Sequence, residues 1–336
     1  MMTPDDRRAD PRQGIVPAGR ARTRSALWCI EVAFAVVIAA WGGMLGTLFL
    51  ALGIRVMVER SGARSFVRSA VAVAAGLVLA TVSLGPSALL TASMPVCAGC
   101  ALAALMWARR ATILAVSVTV VVCTALGLAV DGISLATQGL DVSQVMPAYL
   151  SEAARLYAGY GVQGDLVMAT VEPIFRAVWP FVYALTALIN VGLAALGSFW
   201  GALRGNAGVP SPQGMPPIRM PRLAVFDTPL WAVGLLAASV LGIAVAELVG
   251  DASGLLLPAS VTLLLSVRFI FALQGFGVLF GLMDRWRLGC VMRTVVIVIA
   301  VWLEAMFVMS IVGLVDVWAN FRRLPRGNAG TEAQDK

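Results

Sequence analysis

Long apolar stretches alternate with short polar ones along almost the whole chain, and that alternation predicts membrane-crossing helices. Hydrophobic segments fall at about 26–54, 66–84, 86–107, 111–130, 174–202, 230–249, 254–283 and 290–318. Several contain uninterrupted apolar runs of more than about 18 residues, the length that marks a bilayer span. The expected fold class is all-α, a polytopic membrane helical bundle of about eight segments. A single integral membrane domain is expected over 26–323, between a disordered basic tail at 1–25 and a disordered tail at 324–336.

Three stretches depart from the simple pattern. The first segment has Gly42-Gly43 in its middle, where it can break into two short crossings. The connection 131–173 carries Asp131, Asp141, Glu152, Asp165 and Glu172 against Arg155. Within it Val145, Tyr149, Leu150, Leu156 and Tyr160 follow helical spacing, so an amphipathic helix at about 143–159 is expected in the outer membrane interface. Residues 204–229 hold Pro210, Pro212, Pro216, Pro217, Pro221 and Pro229, too many for a regular helix. This is read as a cytoplasmic linker.

Charge orients the segments. The net charge is +7 and nearly every basic residue is Arg. The arginines sit between apolar runs, where topology demands them, so they carry no expectation of nucleic-acid binding. The positive-inside rule places 55–68, 109–110, 204–229 and 284–289 in the cytoplasm and 131–173 outside. Eight simple crossings would then put both basic termini outside, against the same rule. A break at Gly42-Gly43 returns the N-terminus to the cytoplasm; nothing equivalent is legible for the C-terminus. The expected location is the bacterial cytoplasmic membrane.

The chemistry available is narrow. The chain has no His, which removes histidine metal sites, Ser-His-Asp triads and histidine proton relays. Cys97-Ala98-Gly99-Cys100 is a CxxC, but without further ligands it reads as buried apolar thiols. Gly42…Gly46, Gly197…Gly201 and Gly277…Gly281 have the spacing that permits close helix contact. No metal or cofactor is expected, and no enzyme activity.

The informative residues are ionisable groups inside apolar segments, which are costly there and imply either a bundle-stabilising ion pair or a site or proton-coupling role. Arg268 and Glu304 lie about equally far from the turn at 286–287, so an antiparallel hairpin would bring them to similar depth. They are expected to pair, directly or through Gln274, Glu31 or water. Asn190 is a further polar residue inside a segment. Asp316, Arg322 and Arg323 read as membrane-edge residues.

Phe271-Ala272-Leu273-Gln274-Gly275, a basic turn, Gly313-Leu314-Val315-Asp316-Val317-Trp318 and Phe321-Arg322-Arg323 together resemble the C-terminal signature of the YybS-like family, predicted bacterial membrane proteins of unknown function. Asn190 late in its segment and Glu31 near the start of the first agree with that resemblance. A Pro-rich stretch expected after the first helix is missing; Phe49-Leu50-Ala51-Leu52-Gly53 stands there instead. The family is similar in hydropathy to the substrate-binding membrane subunits of energy-coupling-factor vitamin transporters. The resemblance implies a small-solute site within a helical bundle.

Two functions follow from this reading. One is a transport-related protein that binds a small solute. It would work with a separate energising subunit, because the chain has no Walker-type nucleotide loop. The other is a non-transporting membrane scaffold for a membrane-associated complex. Both have the lipid bilayer as their first partner.

Overall fold

In a bilayer every backbone N–H and C=O must be satisfied within the protein, and a helix does this segment by segment. The computed structural model describes residues 18–140, 145, 149, 152, 164–206, 224, 226–249 and 254–321. Its helices are α1 (Ala18–Ala40), α2 (Leu45–Ser61), α3 (Ser65–Leu84), α4 (Ser87–Trp107), α5 (Ile113–Ala136), α6 (Gly164–Asn206), α7 (Leu230–Val249), α8 (Leu256–Arg285), α9 (Cys290–Glu304) and α10 (Val308–Ala319). No strand occurs among the described residues. Among the described residues six helices are long and apolar enough to cross a membrane: α3, α4, α5, the Ala177–Gly205 part of α6, α7 and α8. The chain is a multi-pass membrane protein built of helices.

By internal contacts it divides into two compact units. One comprises residues 1–127 and 187–218, the other 128–186 and 219–336.

In the first unit the segment 26–54 does break. Gly42 takes a left-handed φ of +82° between α1 and α2, a conformation that glycine adopts without strain. The two helices then run antiparallel, Gly46 against Ala35 and Ala39, and Gly53 against Val32. α2 does not stop where the first apolar run ends. It continues to Ser61, so Arg55 and Arg60 are helical and the loop shrinks to 62–64, correcting the expected basic loop over 55–68. α2 is the centre of this unit, with twelve of its 17 residues buried. Gly197, Gly201 and Gly205 of α6 lie in step against Leu48, Leu52 and Glu59, so α6 runs parallel to α2. A glycine every fourth residue lets the two backbones touch.

In the second unit α7 and α8 form an antiparallel hairpin, with Ala232 beside Val267 and Phe271, and Gly242 against Ser260. The last apolar segment is not one helix, as the hydropathy implied. It breaks at 305–307, where the chain bends by 96° between α9 and α10. α9 starts beside the end of α8, with Arg293 bonded to Asp284, and ends with Glu304 bonded to Arg268. α10 then runs the other way. Ser310, Gly313 and Asp316 meet Arg268, Phe271 and Gln274 in the same order along both chains, so α10 is parallel to α8. α9 and α10 form a V whose apex lies at Arg268 and whose arms open towards the 286–289 turn.

The connection 131–173 is shorter than the sequence implied. α5 runs on to Ala136 and α6 begins at Gly164, so Asp131, Asp165 and Glu172 are on helices. Asp131 accepts a hydrogen bond from the Tyr183 hydroxyl at 2.7 Å. Of the expected amphipathic helix at 143–159, only Val145, Tyr149 and Glu152 are described; they are helical, and Tyr149 is 71% exposed. The other residues of that helix lie outside the described residues, as do most of the Pro-rich stretch and the two tails beyond 17 and 321.

Candidate functional site

The site is built where α8, α9 and α10 meet. α8 is apolar through its central turns and delivers Arg268 to the apex of the V. α9 ends at Glu304 because the following residues take tight turn bonds, Ala305 N–H to Trp302 O, Met306 N–H to Leu303 O and Phe307 N–H to Glu304 O. Phe307 then adopts a left-handed conformation, φ 63°, which is uncommon for a bulky residue and marks a point where the surroundings hold the chain in place.

Arg268 and Glu304 pair directly. Arg268 Nε and Nη2 each lie 3.0 Å from Glu304 Oε1, and Nη2 also donates to the Glu304 main-chain oxygen at 2.6 Å. Glu304 receives two more bonds, from Ser310 N–H to Oε2 at 3.0 Å and from Ser310 Oγ to Oε1 at 2.7 Å. The carboxylate therefore also satisfies an amide at the start of α10, where the helix end carries partial positive charge. The Arg268 guanidinium lies 3.8 Å from the ring centroid of Phe307, over its face. Both charged side chains are mostly buried, at 20% and 15% exposure. A lone charge there would cost at least ~2.5–3.5 kcal/mol on insertion scales. The opposite charge and the hydrogen bonds relieve that cost, and the break in the helix supplies the extra donor.

Beside the pair is a cavity of ≈ 170 Å³ among α7, α8 and α10. Its walls are apolar and include Leu236, Leu264, Phe271 and Leu314; Arg268 and Ser310 border it while their polar atoms are engaged with Glu304. An engineered apolar cavity of about 150 Å³ takes benzene, so this one has room for a group of that size.

Gln274 and Asp316 belong to a separate polar network. Gln274 is fully buried; its Oε1 accepts from Thr228 N–H at 2.8 Å and its Nε2 donates to Asp316 Oδ2 at 3.0 Å. Asp316, expected as a membrane-edge residue, is buried within the protein. Its exposure is 0%, and Oδ1 accepts from Phe321 N–H at 2.8 Å, which turns the chain out of α10. Arg322 and Arg323 lie outside the described residues.

The remaining candidates lie in the first unit. Asn190 is buried and accepts from Thr47 Oγ1 at 2.6 Å, joining α6 to α2. Glu31 is partly exposed on α1, within the field of Arg204. The structure thus joins Arg268 to Glu304 and Gln274 to Asp316, and Glu31 and Asn190 take no part in either. Sequence reasoning missed Ser310 and Phe307, which acquire roles only because the helix breaks. It also missed the Arg55–Glu59 pair, which an i, i+4 spacing on a continued α2 would have disclosed. No group of three or more His, Cys, Asp or Glu with metal-binding geometry occurs among the described residues.

Compared with protein-family models, curated proteins and solved structures, the chain matches none.

Proposed function

We propose that this protein binds a small solute within the membrane as part of a transport process, and that the Arg268–Glu304 apex is its binding site. One observation carries the reading: an apolar segment is broken beside a mostly buried ion pair, and a cavity opens at the break. Discontinuous helices with a helix start facing a charged group are the usual way a membrane transporter builds a polar site in an apolar setting. The resemblance to YybS-like proteins, and through them to energy-coupling-factor substrate-binding subunits, supports the same class. A separate subunit would supply the energy.

The cavity limits the solute. Ligand pockets usually measure about 300–1,000 Å³, so ≈ 170 Å³ suits a compact apolar molecule or one apolar group of a larger one. The test is thermal unfolding of the detergent-solubilised protein against a panel of small metabolites. A binder at about 100 times its dissociation constant raises stability by ~2.7 kcal/mol. The account expects at least one such compound, with the shift abolished by Leu236→Trp, which fills the cavity. No shift across a broad panel, together with a constant co-purifying protein, would replace this reading with the membrane scaffold.

A further inference from the structure

One end of the first unit concentrates positive charge. The C-terminal end of α2 meets the N-terminal part of α1 there, Arg60 lying over the Trp28 ring at 5.8 Å. It also meets the end of α6, where Arg60 Nη2 donates to Arg204 O and Gly205 faces Glu59. The start of α3 adds Arg64 and Arg68. The end of α4 adds Arg109 and Arg110, and is brought to the same place by the Phe66–Trp107 ring contact at 5.3 Å. These six arginines are exposed, and among the described residues Glu31 and Glu59 lie near to oppose them.

Inside this end sits a seventh arginine. Arg55 is 7% exposed and its Nη2 pairs with Glu59 at 2.5 Å. Its Nε and Nη1 are buried and have no hydrogen-bond partner. The Arg109 charge also bears on it. Buried guanidinium N–H groups are normally all satisfied, because each one left without a partner carries its desolvation cost. The local charge is therefore under-compensated both at the surface and within.

We propose that this end binds a phosphate group, that of an anionic phospholipid at the cytoplasmic leaflet. Arginine suits a phosphate through its planar fork of donors. The arginines also frame the apolar α3 and α4, beside which acyl chains would lie, and clusters of basic residues just beyond membrane helices recognise anionic head groups. Arg64, Arg68, Arg109 and Arg110 would hold the phosphate, and Arg55 would gain from its charge.

The experiment uses the full chain in nanodiscs of phosphatidylcholine, with or without phosphatidylglycerol, and in phosphatidylcholine with inorganic phosphate. Thermal unfolding and the lipid retained on native mass spectrometry are read together. Phosphatidylglycerol is expected to raise the unfolding midpoint and to be retained, while inorganic phosphate does neither. Each arginine near a membrane surface changes affinity about fivefold. Arg109→Gln with Arg110→Gln should therefore lower retention on the order of twentyfold, and Arg285→Gln with Arg287→Gln in the second unit should leave it unchanged. Equal stability and retention in both lipids would overturn the site. A shift reproduced by inorganic phosphate would overturn the lipid as its occupant. An equal loss with the second-unit variants would overturn its location.

Discussion

At the residue scale the Arg268–Glu304 pair is a closed arrangement, and its energetics separate structure from function. Removing one member of a buried pair costs ~3–5 kcal/mol, because the survivor is left without compensation; the partial exposure here points to the lower end. Arg268→Met and Glu304→Met are each expected to destabilise the protein by about 3 kcal/mol in chemical unfolding. The double variant should recover much of the Arg268 loss but not all. Glu304 also holds the Ser310 N–H, and a helix cap is worth about 1 kcal/mol. A double variant no more stable than either single one would contradict direct pairing. If stability returns while solute-induced shifts stay absent, the pair serves binding rather than folding alone. The equal distance of Arg268 and Glu304 from their turn made this pairing legible in the sequence. Ser310 was not legible, because its part depends on a break that apolar composition conceals: Ala305-Met306-Phe307 reads as uninterrupted span. The burial of Asp316 was not legible for a related reason. Its position opposite Gln274 follows from α10 lying parallel to α8.

At the element scale close backbone contact organises both units. The sequence showed the glycine spacings but not which would be used, since 33 glycines give many matches by chance. Gly197 and Gly201 turn out to seat α6 on α2. In the second unit the decisive contact is Gly275 with Gly313, which no fixed spacing flags. A Cβ on Gly313 would run into Phe271 O, and one on Gly275 into Met309 O. These are backbone atoms and cannot rotate away. Gly313→Ala is therefore expected to destabilise by ~1–3 kcal/mol, as overpacking does. Gly234→Ala is the matched control: it sits in α7 with nothing within 4 Å, and should be neutral or stabilising by up to ~1 kcal/mol through better helix propensity. Equal effects in a thermal unfolding assay would mean that α10 does not pack on α8 as described.

At the scale of the whole molecule, the two breaks in the apolar pattern repair a conflict that the charges create. Counting eight simple crossings put both basic termini on the wrong side. The α1–α2 hairpin brings the start of α1 to the arginine-rich end of its unit. The α9–α10 V returns Phe321 towards the end that carries Arg285 and Arg287, a geometry in which the final segment would make no net crossing. Segment number and most boundaries were legible because apolar length is a direct signal of a span. Direction was not, because a re-entrant pair and a single crossing have the same hydropathy. The account rests on that V, since it creates both the apex and the cavity. Its most direct test is the sidedness of two positions in intact membranes. Trp286→Cys and Phe321→Cys, each in a cysteine-free background, should react with an impermeant thiol reagent from the same side. Labelling from opposite sides would show that residues 290–319 cross the bilayer as one span, and would contradict the site proposed at its apex.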